Sequence, residues 1–419
     1  AVSVAIEVSD GSSASTSNTF RVSLAHVIPG STGNDSLSGS VVDDIINGLG
    51  GNDSLYGFAG NDHIDGGPGY DQFFGGQGND TLIGGSDATG NEFAGDQGDD
   101  SMVGSDGPDY FSDNSGSNSF SAGAGNDIIQ ISDTSSDTTG SDTIDAGPGS
   151  DQVQYYANLP GKQALVSGGS GSDTYMLRVG SSGQLLITDF SPGPGGDILN
   201  INEALLNATG YSGGNPFAPE LGYLRLVQQG PNTLLQWDSN GTINGASFKT
   251  LVTLLDTQAS TLTAENFVPS GGLSTNTLRV VHTPLLTTSL ANVTTAEDSP
   301  FTLTVPANTF SDADTSDVLT YSATRPDGLP LPAWLHFSPA TLTFSGAPDQ
   351  SEVGAVDVVL STTDPAGLTA SDTFTITVTN TNDAPVGAAT GALASGVEDS
   401  PYILDPSALI AGFADADGD

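Results

Sequence analysis

The sequence predicts an all-β fold, in which a parallel β-roll (a β-solenoid) is followed by a β cap module and a β-sandwich. Three observations support this prediction. First, 55 Gly and 23 Pro among 419 residues leave little room for long helices. Second, Asp and Gly recur at a step of nine residues from Asp35 to Asp80. Third, polar and apolar residues alternate between residues 290 and 385, with frequent turn signals.

Charge and composition limit the function. The chain has 50 acidic residues against 7 Lys and Arg, a formal net charge of -43, and 42 of the acids are Asp. An excess of short carboxylates favours turns and hard-cation sites. The shortage of basic residues argues against nucleic acid and anionic membranes as partners. No apolar stretch could span a bilayer, no Cys is present, and the four His lack zinc-hydrolase spacing, so neither membrane insertion nor zinc chemistry is expected.

The two ends of the sequence look like pieces of the later domain. Residues 4–24 (VAIEVSDGSSASTSNTFRVSL) and 358–378 (VVLSTTDPAGLTASDTFTITV) share a strand–turn–strand pattern, and EDSPF at 297–301 is echoed by EDSPY at 398–402. We therefore expect a window on a longer array. Residues 1–28 would be the last hairpin of a preceding domain, residues 286–385 a complete domain, and residues 386–419 the first strands of another.

The middle of the chain, residues 30–183, is a nine-residue repeat. The first run of repeated acids is Asp35, Asp44, Asp53, Asp62, Asp71 and Asp80, each followed two positions later by an apolar residue. After a slip of two residues the register continues at Asn91, Asp100, Asp109, Asn118 and Asp127, and again at Asp142, Asp151 and Asp173. Each repeat is therefore predicted to be a tight Gly-rich turn followed by a short strand with an inward apolar side chain.

Stacking of these repeats requires a cation. Two repeats close one coil, so alternate acids stack along each edge: Asp35, Asp53 and Asp71 on one, and Asp44, Asp62 and Asp80 on the other. At a coil spacing of about 4.8 Å, neighbouring carboxylates repel by roughly 3 kcal/mol at an effective dielectric near 20. No Lys or Arg lies between Arg21 and Lys162, an interval with 22 acids. Oxygen ligands in a flexible, high-coordination site favour calcium over magnesium or softer metals.

The repeats resemble those of repeats-in-toxin (RTX) proteins, bacterial products exported by type I secretion. In that family the Asp of one turn and the Asp two repeats later share a calcium, and backbone carbonyls of the first four turn positions complete its shell. The resemblance implies one site with the ligands Gly48, Gly51, Asp53, Gly66, Gly67, Gly69 and Asp71. It implies another, on the opposite edge, with Gly57, Gly60, Asp62, Gly75, Gly76, Gly78 and Asp80. Further predicted ligands are Asp35, Asp44, Asp100, Asp109, Asp127, Asp142, Asp151 and Asp173, whereas Asn91 and Asn118 depart from the pattern.

The chain from Ser170 to Pro269 resembles the type I secretion target module that follows the repeats in many family members, and the module itself is expected at residues 184–272. The segments GSGSDTYML, LLITDFSPGPGGDILNINEALL and LTAENF carry this resemblance, with Asp189 and Asp197 at its acidic positions. A second, compatible interpretation is a β cap over the open end of the roll, which any solenoid needs. A short helix is expected only within residues 202–209.

Residues 286–385 resemble cadherin-like and dystroglycan-type Ig-like domains, through SDADTSDVLTYSA, LPAWLHF, LTFSGAP, TTDPAGLTASDTFTITV and NTNDAP. Trp334 is expected in the core. The resemblance implies an interdomain calcium with the linker ligands Asn382 and Asp383, completed by Glu398, Asp415 and Asp417. Five other acids of this domain are interpreted as turn residues: Glu297, Asp312, Asp314, Asp317 and Asp364.

Together these patterns predict a calcium-binding segment of a large secreted or surface-attached bacterial adhesin or matrix protein, which folds as calcium binds outside the cell. No GxSxG, P-loop or dinucleotide motif is present, so we do not expect an enzyme. Two alternatives stay open: the non-catalytic RTX region of a secreted hydrolase or toxin, and a self-assembling filament or surface-layer subunit. Expected partners are calcium ions and neighbouring domains of the same chain, with a cell surface, a glycan or further copies of the chain as other candidates.

Overall fold

The computed structural model describes residues 2–9, 15–22, 26–133, 140–157, 161–178, 184–243, 245, 247–269, 278–388, 390–391, 395–403 and 405–417. The chain forms two compact units, Ala1–Val281 and His282–Asp419. The predicted all-β class is confirmed, because helices in the described part are short: α-helices Asn202–Leu206 and Pro406–Ile410, and 3-10 helices Ala259–Thr261, Ala264–Asn266 and Gln350–Glu352. The domain boundaries predicted at residues 183 and 272 lie outside the described residues.

The first unit begins with an antiparallel hairpin and continues as a parallel β-solenoid of about eight turns. The hairpin pairs Val2–Ser9 with Ser15–Val22. One face of the solenoid is a ten-stranded sheet: Ser36–Ser38, Ser54–Ala59, Gln72–Gln77, Glu92–Gln97, Tyr110–Asp113, Ile128–Asp133, Gln152–Ala157, Thr174–Met176, Ile198–Asn200 and Phe267–Val268. The facing sheet begins with nine strands: His26–Ser31, Asp44–Leu49, His63–Asp65, Thr81–Ile83, Ser101–Val103, Ser119–Ser121, Ser141–Asp145, Gln163–Ser167 and Gln184–Ile187. A small parallel pair, Pro148–Gly149 with Ser170–Gly171, lies outside both sheets.

The apolar residue of each repeat holds the coils in register. Ile46, Ile64 and Leu82 stack on one sheet and are fully buried. On the other sheet the rings of Phe73, Phe93 and Phe111 stack in series with centroid separations of 4.6 Å. Burying each such side chain contributes about 1.5–3 kcal/mol. Because the stacks fix one coil directly above the next, they also bring the Asp turns of successive coils together.

The region after the repeats extends the same two sheets. Gln184–Ile187 and Ile198–Asn200 add parallel strands to the solenoid. The facing sheet then ends with four strands: Lys249–Leu254, Asn232–Trp237, Leu224–Gln229 and Val280–His282, of which the middle two form an antiparallel hairpin. The buried side chains Phe217, Leu226 and Phe267 join the solenoid core. The short helix Asn202–Leu206 lies where the sequence predicts one.

The second unit contains two sheets around one core. The four-stranded sheet is ordered Val293–Ala296, Thr369–Thr379, Gly354–Thr363, Thr320–Thr324, and the three-stranded sheet Phe301–Thr304, Thr343–Gly346, Leu335–Ser338. The rings of Phe344 and Phe374 pack edge to face in the core, with their centroids 5.5 Å apart, and Trp334 lies in the same core as predicted. Two short pairs complete the unit: Leu285–Leu286 with Phe310–Ser311, and Val386–Gly387 with Phe413–Ala414.

Candidate metal centres

The repeated Asp residues form two columns along the two edges of the solenoid. We call them the edge 1 column and the edge 2 column. The edge 1 column consists of Asp35, Asp53, Asp71, Asn91, Asp109, Asp127, Asp151, Asp173 and Asp197. The edge 2 column consists of Asp44, Asp62, Asp80, Asp100, Asn118 and Asp142. The structure therefore places every repeat acid predicted from the sequence in one of the columns, and adds Asp197.

Each column is a ladder of hydrogen bonds. The backbone N–H of one column residue donates to the Oδ1 of the residue in the next coil, as from Asp53 to Asp71 at 2.8 Å. The same bond recurs along both edges at 2.6–3.0 Å. The coils that contain insertions keep it as well, since Asp127 N–H donates to Asp151 across 24 residues. One oxygen of each carboxylate is thus used to hold two coils together.

The second carboxylate oxygen is buried and lacks a hydrogen-bond partner among the described residues. This holds for Oδ2 of Asp53, Asp62, Asp71, Asp80, Asp100, Asp127, Asp151 and Asp173. All of these residues are at most 2% exposed. A buried carboxylate oxygen without a partner is strongly destabilising. A cation beside these oxygens would remove that penalty.

Backbone carbonyls from two coils face the same space. A Cβ added to Gly48 would lie 2.3 Å from Asp53 Oδ2 and 2.6 Å from the carbonyl oxygen of Gly66, so only Gly leaves this space open. From the earlier coil, the carbonyl oxygens of Leu49 and Gly51 point towards Gly67 and Gly69 of the later one. Four oxygen atoms of two coils therefore surround one gap, and calcium takes 6–8 oxygen ligands at 2.3–2.6 Å.

We call the backbone carbonyls that face these gaps the carbonyl wall of each edge. It includes the carbonyls of Leu49 and Phe58, which the sequence analysis did not predict as ligands. Each occupies the second turn position, where other repeats have Gly, with φ of 77° and 76°. A Cβ on Gly76 would lie 2.2 Å from the Phe58 carbonyl oxygen. Their position in the repeat was the available signal, because a carbonyl ligand is supplied by the backbone whatever the side chain.

Burial and neighbouring carboxylates raise the pKa of the column residues. Burial, followed by the charges of Asp100 and Asp62, raises the pKa of Asp80 to about 7. Burial is also the largest cause for the others, which reach a pKa of about 6 at Asp71, Asp100, Asp127 and Asp151 and about 7 at Asp173. The hydrogen bond from the preceding coil lowers the pKa of Asp80, but by less than burial raises it. The columns therefore need either protons or a cation.

The two Asn residues that break the pattern behave differently. Asn91 turns its amide towards the Gly84 carbonyl, at 3.3 Å, so an N–H group fills that part of the edge 1 column. In the edge 2 column, Asn118 donates to the carboxylate of Asp113, which occupies the first turn position in place of Gly. Asp113 Oδ1 has no partner among described residues, and burial raises the pKa of Asp113 to about 8. A Cβ on Gly95 would lie 2.5 Å from Asp100 Oδ2 and 2.8 Å from Asp113 Oδ1, so Asp113 replaces the carboxylate that Asn118 lacks.

The predicted linker ligands are partly brought together in the second unit. Asp383 N–H donates to Asp417 Oδ2 at 2.5 Å, and Asp417 N–H donates to Asp415 Oδ1 at 2.9 Å. Partial burial and the charges of Asp298, Asp417 and Asp415 raise the pKa of Asp383. The Asn382 side chain instead donates to the carbonyl of Asp383, and Glu398 is exposed.

A further acidic cluster in the second unit was interpreted from the sequence only as turn residues. One carboxylate oxygen from each of Asp312, Asp317 and Asp364 lies within 4.8 Å of the others. Asp364 is 5% exposed, and Oδ2 of both Asp312 and Asp364 lacks a partner in the described part of the chain. The other oxygen of Asp364 accepts from Leu368 N–H at 2.8 Å. Asp314, by contrast, is bound by the backbone and ring of His282. These three acids could hold a cation.

Comparison with known families agrees with this geometry. Residues 29–57, 38–73, 56–88, 94–129 and 132–154 match the family described as "RTX calcium-binding nonapeptide repeat (4 copies)". Residues 283–379 match the family described as "Putative Ig domain". The first unit thus contains RTX repeats, which are a calcium-binding motif. The oxygen-rich gaps between its coils fit a calcium ion. In the described residues, no helix is both long and apolar enough to cross a membrane.

No curated protein matches the chain. Among solved structures it is similar to the endo-fucoidan hydrolase MfFcnA4 from glycoside hydrolase family 107, with 18% identity over 38% of this chain and a TM-score of 0.20. It is also similar to the human desmocollin-1 ectodomain, with 14% identity over 37% of this chain and a TM-score of 0.20. The chain spans 22% and 27% of the lengths of these two proteins.

Proposed function

We propose that this chain is a calcium-stabilised segment of a secreted or surface-attached bacterial adhesin or matrix protein, and that it has no catalytic role of its own. The observation that carries the proposal is the set of buried carboxylate oxygens, along both edges of the solenoid, that have no hydrogen-bond partner in the described part of the chain. Apart from that of Asp173, they lie in a stretch without Lys or Arg, from residue 22 to residue 161. The charge that balances them must therefore come from outside this stretch.

Calcium, when bound, supplies positive charge between successive coils. The residues that would hold it on edge 1 are Asp53 and Asp71 with the carbonyls of Leu49, Gly51 and Gly66. The equivalent set on edge 2 is Asp62 and Asp80 with the carbonyls of Phe58, Gly60 and Gly75. Sites of extracellular grade have Kd values of about 10⁻⁴–10⁻³ M. At low intracellular calcium the columns would repel and the repeats would stay unfolded for export, whereas outside the cell binding would drive folding.

A calcium titration of the full 419-residue chain, followed by far-UV circular dichroism, tests this function. We expect a cooperative gain of β signal in the millimolar range with calcium, and a much smaller one with magnesium, which prefers a strict octahedral shell. A β signal that is complete in chelator and unchanged by calcium would overturn the proposal. A catalytic or acyl-modified domain found in the flanking sequence would instead support the hydrolase or toxin alternative.

The N-terminal hairpin favours a second candidate, a self-assembling filament subunit. Within the described residues, Val2–Ser9 and Ser15–Val22 pair only with each other, which leaves both outer strand edges able to accept a further strand. Strand addition between copies would then build a polymer. Light scattering of the calcium-loaded chain should show growth with concentration if this is correct, and a constant monomer mass would exclude it.

A further inference from the structure

The first basic residue after the acidic stretch lies inside the solenoid. Lys162 is 0% exposed, although it precedes the strand Gln163–Ser167 at a turn. Its Nζ donates a hydrogen bond to the carbonyl oxygen of Gly116, two coils earlier. A buried ammonium is strongly unfavourable unless acceptors and negative charge surround it. Its position therefore identifies a place where the fold requires a cation.

That acceptor belongs to the carbonyl wall of edge 2. Gly116 occupies the fourth turn position, as do Gly60, Gly78 and Gly98 in the preceding coils. In that row each carbonyl points at the next Gly, since a Cβ on Gly98 would lie 1.9 Å from Gly78 O and one on Gly116 1.6 Å from Gly98 O. The row ends at Gly116. The equivalent Gly140 of the next coil faces the Ser117 hydroxyl, and a Cβ there would lie 3.8 Å from Lys162 Nζ.

The edge 2 column ends at the same place. Asn118 N–H donates to Asp142 Oδ1 at 2.9 Å, and in the following coil Ala164 pairs with Asp142, so the column gains no further acid. Asp142 is 0% exposed, and its charge contributes to the raised pKa of the buried Asp113. The gap between the turns of Asn118 and Asp142 thus has buried acids on both sides and a carbonyl bound by the ammonium.

We propose that the Lys162 ammonium takes the place of a calcium ion in the last gap of the edge 2 column. This inference rests on the proposed function. It means that edge 2 binds calcium only in earlier gaps, such as those between the coils of Asp62, Asp80 and Asp100. The charge in the last gap of this edge is then balanced by the chain itself and not by calcium.

Anomalous diffraction from crystals of the calcium-loaded chain tests this directly. We expect calcium peaks in the earlier edge 2 gaps and none bonded to the carbonyl oxygen of Gly116. A calcium peak at that oxygen, with peaks in the other gaps, would overturn this inference alone. Crystals grown in calcium that show no peak in any gap would overturn the proposed function and this inference with it.

A charge-removing substitution gives a second readout in solution. We expect Lys162→Met to bind one more calcium per chain than the wild type, measured by metal analysis after gel filtration. Its melting temperature should fall more at limiting calcium than at saturating calcium. Lys249→Met, at an exposed lysine, is the matched control and should change neither quantity. An unchanged calcium count, with the same loss of stability at both calcium concentrations, would show that Lys162 contributes only to packing and would overturn the inference. If Lys162→Met fails to fold, the diffraction experiment on the wild type decides.

Discussion

Substitution of Asp80 by Asn separates the two roles of a column carboxylate. Asp80 Oδ1 accepts from Asp62 N–H at 2.8 Å, and Asp80 N–H donates to Asp100 at 2.8 Å. Asn retains the shape, this acceptor and this donor. It removes the negative charge and replaces Oδ2, which is buried and has no partner among the residues that the structure describes, by an amide N–H₂. The hydrogen-bond ladder should therefore survive while the interaction with a cation is lost.

The expected effects have opposite signs with and without calcium. Burial raises the pKa of Asp80 from 3.8 to about 7, and each pH unit corresponds to about 1.4 kcal/mol. The full interval would correspond to roughly 4 kcal/mol at pH 8, and solvent screening at the turn reduces it to about 2 kcal/mol. Asp80→Asn should therefore stabilise the calcium-free fold by about 2 kcal/mol. In calcium it removes a charged ligand from both gaps that Asp80 borders. Roughly ten-fold weaker binding in each gap, about 1.4 kcal/mol per gap, exceeds the gain, so the calcium-saturated fold should lose about 1 kcal/mol of stability.

Urea denaturation followed by circular dichroism, in chelator and in saturating calcium, measures both effects. If the calcium-free chain is unfolded, trimethylamine oxide can bring its transition into range. The exposed Asp106, in the turn before Asp109 on edge 1, supplies the control Asp106→Asn, which should leave both quantities within about 0.5 kcal/mol. Destabilisation by Asp80→Asn in both conditions, or an equal effect of Asp106→Asn, would refute the reasoning.

Three further predictions address pH, coil stacking and the second unit. In the folded chain the pKa values of Asp71, about 6, and Asp173, about 7, exceed the unfolded value of 3.8. The calcium-free fold should therefore be most stable below about pH 4 and should lose stability as the pH rises to about 7. With calcium the slope should reverse, because protons compete with the ion; urea melts across this range check both signs, and parallel slopes would contradict them. Gly69→Ala places a Cβ 1.8 Å from the carbonyl oxygen of Gly51 at a φ of 132°, and should lower the free energy of unfolding by about 3–5 kcal/mol in thermal melts. The control Gly213→Ala, which has open space at a φ of 109°, should lower it by about 1–2 kcal/mol. An equal cost at both positions would show that only backbone strain matters. Finally, calcium should slow hydrogen exchange in Gly354–Thr363. Asp364→Asn should raise the calcium concentration required for this protection by roughly ten-fold, whereas the control Asp327→Asn, at an exposed acid, should not change it. Exchange that is insensitive to calcium in the wild type would argue against a cation at Asp312, Asp317 and Asp364.

The repeat period alone determined the solenoid and its two acidic edges. A step of nine residues with an apolar side chain two positions after each Asp allows one arrangement, in which Ile46 and Ile64 stack inside while Asp53 and Asp71 stack at the turn. Composition then indicated calcium, since no Lys or Arg lies between Arg21 and Lys162 to balance the repeats of that interval. These conclusions needed no contact information, because residues at equal positions in a repeat experience equal surroundings.

The tertiary structure decided the points at which the repeats are unequal. Asp113 replaces the carboxylate absent at Asn118, and Lys162 reaches Gly116 across 46 residues. Asp364 lies close to Asp312 and Asp317, and the pairing of Thr363 with Thr320 brings the turns beside these two residues together. None of these pairs shares a sequence period, and each depends on where a loop or insertion returns the chain to the stack. Backbone carbonyls such as that of Leu49 add the same difficulty, because their direction is set by φ and ψ, whereas the sequence specifies only the side chains.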